Sequence, residues 1–263
     1  MDLVEARTQG YVSSSRHPWE RARFEVLRRI IARHVPLPVG AAVLDVGCGD
    51  AFILEELARS YPGRSFLGVD TAYPAETIRH YQTQASAPSI RLYQSLDELG
   101  RPLGAPVSLV LLMDVLEHVE CERDLIRDLL DRPWIGSEAW FLVTVPAYSW
   151  LFSAHDRFLG HYRRYSRASA RRLLESAGLD VIESGYFFAS LVPLRSLQVL
   201  VERCSGRRAP MEATDVATWQ GSTVVGNTLT ALLVFDERIA RVLSRVGIVL
   251  PGLSVFAICR KSA

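Results

Sequence analysis

The run Val43-Leu44-Asp45-Val46-Gly47-Cys48-Gly49-Asp50 constrains the fold more than any other stretch of this 263-residue chain. Apolar residues interrupted only by Asp45 read as a buried strand, the two glycines as a tight turn, and Ala51 to Arg59 as the helix behind it. A strand, a glycine turn and a helix in that order is where open α/β sheets bind nucleotides.

Gly47 and Gly49 put no side chain between main chain and ligand, and they allow the dihedrals that a tight turn requires. A dinucleotide fingerprint would carry a third glycine three positions after Gly49, where Phe52 stands, so a bound pyrophosphate is disfavoured. Asp45, at the strand end, suits a ligand with a positive or hydrogen-bond-donating group instead. S-adenosylmethionine has an ammonium and a sulfonium but no phosphate. The residues expected around it here are Asp45, Gly47, Cys48 and Gly49. The bland alternative is a turn that merely joins strand to helix.

A second short strand, Ser65 to Val69, ends at Asp70 and Thr71. An acid about twenty residues past the glycine turn can accept both hydroxyls of an adenosine ribose. That signal suits NAD and S-adenosylmethionine equally. A helix is expected after Pro74 and a third strand near Ile90 to Gln94, with Ser95 and Leu96 placed to border an adenine. The fourth strand, Val107 to Met113, ends at Asp114-Val115-Leu116-Glu117-His118. Such alternation of strands and helices implies a mainly parallel, doubly wound sheet with ligands at the carboxyl ends of its strands.

These three motifs, Val-Leu-Asp-Val-Gly-Cys-Gly-Asp, then Gly-Val-Asp, then Met-Asp-Val-Leu-Glu-His-Val, resemble the class I S-adenosylmethionine-dependent methyltransferases. The subgroup is the one that includes ubiquinone-biosynthesis O-methyltransferases and many natural-product enzymes. The likeness covers about residues 41 to 185 and returns in Leu253 to Cys259, which resembles the family's antiparallel seventh strand. It implies a seven-stranded Rossmann-like sheet, S-adenosylmethionine as methyl donor, S-adenosylhomocysteine as product, and Asp114, Val115 and His118 near the cofactor.

Composition sets limits. The hydrophobic share of 49% and charged share of 22% suit a globular protein, and a net charge of +1 with no extended basic stripe gives no reason to expect a nucleic-acid partner. The only lysine is Lys261, so clusters of arginine in this chain carry less meaning than usual. Cys48, Cys121, Cys204 and Cys259 are scattered without ligand spacing, consistent with a reduced, cytoplasmic protein. The first residues lack the apolar core of a signal peptide, and no uncharged apolar run reaches the ~18 residues of a membrane span.

Four segments follow. Residues 1–40 form a helical lead, with a helix from His17-Pro18-Trp19 to about His34 whose arginines, Arg23 among them, stay largely outside its apolar face. Residues 41–186 form the cofactor-binding core, 187–250 a helical insertion, and 251–263 the returning strand. Within the insertion, helical patterns run from Leu191 to Arg203 and from Val224 to Val246, joined by the polar segment Ser205 to Ser222. Val224, Val225, Leu229, Leu232, Leu233, Ile239, Val242 and Leu243 trace the second helix's broad apolar face. Such an insertion usually roofs the acceptor site in these enzymes; a homodimer interface or a shallow membrane-surface contact are the alternatives.

The acceptor is expected beside the fifth strand, Trp140 to Val145. The strand runs into Tyr148 and Trp150 and then His155-Asp156-Arg157-Phe158-Leu159-Gly160-His161-Tyr162-Arg163-Arg164-Tyr165, before a helix from Arg167 to Ala177 capped by Ser166 and Gly178. Arg163 and Arg164, with Tyr165, are the expected contacts to an anionic acceptor. For a hydroxyl acceptor the protein must align the nucleophile and remove its proton, a task suited to histidine. His155 and His161 are the favoured bases and His118 the third candidate.

Asp114, Glu117 and His118, with His155, also echo the acid-acid-histidine-histidine arrangement of small-RNA 3′-terminal 2′-O-methyltransferases. The same run is common in metal-free relatives, and no metal is expected. The reading is therefore O-methylation of a small, lipid-like or natural-product acceptor in secondary metabolism. The rivals are an NAD-dependent oxidoreductase or sugar-nucleotide epimerase, opposed by Phe52 and by the lack of a Tyr-x-x-x-Lys pair, and a non-catalytic partner subunit that binds the cofactor.

Overall fold

The computed structural model describes residues 16–73, 76, 78, 89–100, 105–205 and 221–262. Most of the helix expected after Pro74 and of the polar segment Ser205 to Ser222 lies outside the described residues. Seven strands form one sheet: β1 (Ala42–Val46), β2 (Ser65–Val69), β3 (Ile90–Tyr93), β4 (Val107–Met113), β5 (Ile135–Pro146), β6 (Leu179–Phe187) and β7 (Ser254–Lys261). Their order is β3-β2-β1-β4-β5-β7-β6. Neighbours from β3 through β5 pair in parallel, whereas β7 is antiparallel to both β5 and β6. This is the seven-stranded doubly wound sheet with a reversed last strand that the sequence resemblance implies. The order reverses between β1 and β4, so the crevice for a ligand opens beside the glycine turn after β1.

Alternate residues of the central strands feed two cores. Val43 of β1 and Leu109 and Leu111 of β4 face one side, and Ala42, Leu44, Val46, Val110 and Leu112 face the other. The period of two makes both faces apolar, as strands covered on both sides require. The first face is covered by α1 (Pro18–His34) and α2 (Phe52–Ser60), the second by α3 (Glu122–Asp131) and α5 (Arg167–Ala177), with the short α4 (Ala154–Phe158) on the connection before α5. Proline at the first position of α1, behind the His17 cap, costs no intrahelical bond. Ser166 accepts from Ser169 N at the start of α5, and Gly178 closes it in the left-handed conformation.

Helices α6 (Val192–Ser205) and α7 (Thr223–Arg245) lie between β6 and β7. α7 packs along α1, fastened by Arg21 to Asn227 at 2.8 Å and by the Thr230 hydroxyl to Pro18 O at 3.2 Å. The side it buries carries Gly226, Leu233, Val234 and Glu237. Of the apolar face read from sequence, Leu233 is buried, whereas Val224, Val225, Leu229, Leu232, Ile239 and Val242 are exposed. α7 is thus apolar on two sides, and the side with Gly226 packs against α1. The chain returns through Gly252, where a Cβ would stand 2.3 Å from Phe187 O, so only glycine lets the segment enter β7. None of the described helices is long and apolar enough to cross a membrane.

Candidate active site

The glycine turn is held by main chain. Gly47 N and Cys48 N both donate to Val69 O, at 2.7 and 3.2 Å, tying the turn to the end of β2. Gly47 and Gly49 have φ of +70° and +56°, and a Cβ on Gly47 would meet Val115 Cγ2 at 2.7 Å. Val115 therefore closes one side of the turn. Asp70 accepts from Gly49 N at 3.0 Å through one oxygen and from Ala72 N at 2.9 Å through the other. Asp50 caps α2 by accepting from Phe52 N at 3.3 Å and pairs with Arg16.

Two members of the expected cofactor set are inside the protein. Cys48 is buried, its Sγ 3.4 Å from the Tyr73 hydroxyl, and burial pushes its thiol up. Asp45 is buried in β1 with no hydrogen-bond partner for either oxygen among the described residues, and desolvation pushes its carboxyl up to about 8. A carboxylate so placed is an orphan behind the turn, within the protein rather than at its surface. Thr71 is exposed beside Asp70. Ser95 accepts from Asp97 N at the end of β3, and Leu96 is half-buried after it.

At the end of β4, Asp114 takes a positive φ of 56° and pairs with Arg23 at 2.5 Å. Thr144 of β5 donates to Asp114 at 3.0 Å and accepts from Arg23 at 2.7 Å. Arg23 was expected outside the apolar face of α1; its side chain instead turns into the sheet end, where Asp114 and Thr144 receive it and the ion pair offsets the burial. Periodicity alone could not find it, since the pairing crosses from one element to another.

Glu117 and His118 form the short turn Leu116–His118 after β4. Glu117 is fully buried with no hydrogen-bond partner for either carboxylate oxygen among the described residues, and desolvation, with Asp114 nearby, drives its carboxyl well above the usual range. The segment after β5 lies over it, with Tyr162 N donating to Glu117 O at 2.8 Å. His161 sits edge-on to His118, ring centres 4.5 Å apart at 88°. Glu117, His118 and His161 each offer a ligand atom within 4.8 Å of the others.

Asp156 organises this segment. Its carboxylate takes His161 Nδ1 at 3.0 Å, Arg164 Nε at 2.7 Å and Ser153 N at 2.9 Å. Burial alone would raise its carboxyl, but the bonds from His161 and Arg164 outweigh burial and hold it well below the usual range. Asp156 thus partners the histidine five residues on rather than neighbouring His155. The legible signal was Ser153-Ala154-His155-Asp156, a Ser-x-x-acid helix start that turns the carboxylate back over the loop. His155 lies outside the cluster, its imidazole pushed down by burial and then by Arg195.

The other expected acceptor contacts divide. Tyr148 stacks on Tyr186 at 5.3 Å and leans on Trp150, which is half-exposed. Arg163 engages Glu122 and Glu120 O, Arg164 engages Asp156 and Ala147 O, and Tyr165 is buried with its hydroxyl on Glu122. Both arginines therefore have carboxylate partners within the chain. A separate groove of about 670 Å³ between α1 and α7, lined by Arg21, Glu25, Asn227 and Phe235 among others, includes none of these residues.

The crevice at the strand ends, the glycine turn and the acid after β2 define a class I methyltransferase fold with its cofactor crevice. Residues 19–184 match the family model described as a methyltransferase domain, more than half of the chain, and the protein belongs to that family. It is 28% identical over 132 residues to the ubiquinone biosynthesis O-methyltransferase of Erwinia tasmaniensis, a match that covers 47% of this chain and 54% of the relative. The chain thus spans about half the length of that curated relative. Among solved structures, coclaurine N-methyltransferase bound to N-methylheliamine and S-adenosylhomocysteine superposes with a TM-score of 0.54 at 13% identity, over 90% of this chain and 70% of that one. The [4+2]-cyclase SpnF superposes at 0.54 and 17% identity, over 90% and 81%. StiE O-MT superposes at 0.51 and 15%, over 95% and 83%. At these identities the structural likeness speaks for the fold alone, and SpnF illustrates that one fold carries different reactions.

Proposed function

We propose that this protein is an S-adenosylmethionine-dependent O-methyltransferase acting on a small or lipid-like acceptor that enters between the Tyr148–Trp150 loop and the Glu117–His118–His161 cluster. The observation that carries the reading is the cradle at Gly47. A Cβ there would fill the space against Val115, and the Asp70 carboxylate faces the same turn, accepting from Gly49 N and Ala72 N. The residues suit the cofactor: Asp70 for the ribose hydroxyls, Ser95 and Leu96 for the adenine edge, and the Gly47–Gly49 main chain for the amino-acid end. When bound, S-adenosylmethionine supplies a methyl already activated by its sulfonium.

This chain's own work is then alignment and proton removal. Tyr148, stacked on Tyr186, offers a flat wall for an acceptor ring or chain. The acceptor hydroxyl faces Glu117, His118 and His161, and its proton is lost there. Asp156 fixes His161 by accepting from Nδ1, which leaves Nε2 with its lone pair outward. Oxygen as acceptor atom is supported by the ubiquinone-biosynthesis relative, which is an O-methyltransferase.

Calorimetric titration with S-adenosylhomocysteine and, separately, NADH tests the cofactor. Binding of the first alone is expected; binding of NADH alone would overturn the reading in favour of an oxidoreductase or epimerase.

A further inference from the structure

We infer that Glu117, His118 and His161 bind a divalent first-row transition-metal ion, with Asp156 holding His161 in the tautomer that ligates. The inference rests on the proposed function for the ion's role, but not for its binding. Three observations meet at this place. One carboxylate oxygen and two imidazole nitrogens come within 4.8 Å of one another. Glu117 is completely buried, yet neither of its oxygens has a hydrogen-bond donor among the described residues. His161 Nδ1 is committed to the Asp156 carboxylate at 3.0 Å, the outer bond that metal-ligating histidines usually make through the nitrogen that does not ligate.

The charges around the cluster single out Glu117. Asp114 is matched by Arg23 at 2.5 Å, and Asp156 by Arg164 at 2.7 Å, with Arg195 at 4.0 Å on its other side. No ion pair involving Glu117 occurs among the described residues, although it is as deeply buried as Asp156. A buried carboxylate with neither donor nor counter-ion costs free energy unless something occupies the space before it. Two imidazoles beside it make a cation coordinated by nitrogen and oxygen the fitting occupant. That donor set suits zinc, iron, cobalt or manganese better than magnesium or calcium, which prefer all-oxygen surroundings.

Three protein ligands leave positions open for an acceptor oxygen, and an ion there lowers the pKa of a hydroxyl that reaches it. The balance is complete without another reactant. The hydroxyl gives its proton to solvent, its oxygen forms the bond to the methyl carbon, and the carbon–sulfur electron pair stays on sulfur as S-adenosylhomocysteine leaves. The ion does not change oxidation state. In this arrangement His161 is a ligand, and the proton is lost through acidification of the hydroxyl.

The test is direct binding. The full-length chain, stripped with chelator and desalted, is titrated with cobalt(II) chloride, followed by calorimetry and by the visible absorption of the bound ion. One equivalent per chain is expected. Affinity should fall at least about tenfold in Glu117→Gln and in His161→Asn, and by about ten- to a hundredfold in Asp156→Asn, the range for loss of an outer-shell partner. Each variant is also titrated with S-adenosylhomocysteine, so a misfolded protein is recognised; His118→Asn replaces any variant that fails. Absence of a bound-ion band up to millimolar cobalt, or wild-type binding in Glu117→Gln, overturns the ion site. S-adenosylhomocysteine binding without cobalt binding would sink the ion and leave the methyltransferase reading standing. Cobalt binding without S-adenosylhomocysteine binding would do the opposite.

Discussion

The two ends of the crevice are built in different ways. At the proposed cofactor end the structure is local and largely main chain: two glycines two residues apart, a carbonyl at Val69, and one carboxylate, Asp70, that receives two amide donors. At the proposed acceptor end the determinants are side chains gathered from four elements. Glu117 and His118 follow β4, His161 and Asp156 follow β5, Arg23 comes from α1 and Arg195 from α6. A short local motif can recur in proteins with unrelated acceptors, whereas a gathered cluster depends on every loop and insertion that supplies it. The difference explains how one fold accommodates an N-methyltransferase and a cyclase as structural neighbours.

The comparison is broken most decisively by variants that ought to separate the two ends. His161→Asn and Glu117→Gln should each lower methyl transfer by about 10²–10⁴-fold, the range for losing the group that handles a reacting proton. Both should leave S-adenosylhomocysteine affinity within about twofold, since neither residue touches the glycine turn. Single-turnover assays beside calorimetry read both quantities. Equal losses of turnover and affinity would mean that the two ends are one cooperative unit.

Asp156→Asn comes next in size. It removes the charge that neutralises Arg164, whose side chain is itself nearly buried, and should cost about 3 kcal/mol of folding stability in a denaturant titration, as breaking a buried pair does. An unchanged midpoint would mean that solvent reaches the pair. Asp70→Ala should then weaken S-adenosylhomocysteine by about ten- to a hundredfold, the loss of one charge-assisted bond at about 1.5–3 kcal/mol. Turnover at saturating cofactor should change much less, which keeps the effect at the cofactor end.

The same contrast accounts for what could be read from the chain before its structure. Val43 to Asp50, Asp70 and Asp114 to His118 carry their meaning in a few consecutive residues, so the sheet, its crevice and the methyltransferase family were legible. The start of α1 at Pro18 and the Ser166 and Gly178 caps were legible for the same reason, because capping depends on neighbours in sequence. His161 was a candidate base, but its partner was not evident: Asp156 adjoins His155 in sequence and bonds His161 only because α4 and the following turn bring the chain back. Arg23 looked like one more arginine on a solvated face. Its pairing with Asp114 spans 91 positions between two elements, and no periodicity records that. The outer face of α7 is a related case. Hydrophobicity reports that a side can be buried, but which side is buried depends on the shape of α1.

The smallest effect concerns Asp45, behind the glycine turn, and it asks whether the local end is as self-contained as it looks. Burial pushes this carboxyl up to about 8, against roughly 4 in an unfolded chain. Below pH ~4 both states hold the proton, and Asp45 makes no difference to the slope of stability with pH. Between ~4 and ~8 the unfolded chain releases its proton while the folded protein keeps it, so stability falls as pH rises, by at most about 1.4 kcal/mol per unit. Above ~8 the loss is complete and the slope vanishes again. Asp45→Asn removes this term, so between pH 6 and 7 the wild-type protein should lose about 1 kcal/mol more than the variant, a difference that urea titrations at the two pH values can resolve. If the two lose stability equally, Asp45 is already ionised in the folded protein. A buried counter-charge must then reach it, and the glycine turn would depend on a distant part of the chain as the acceptor end does.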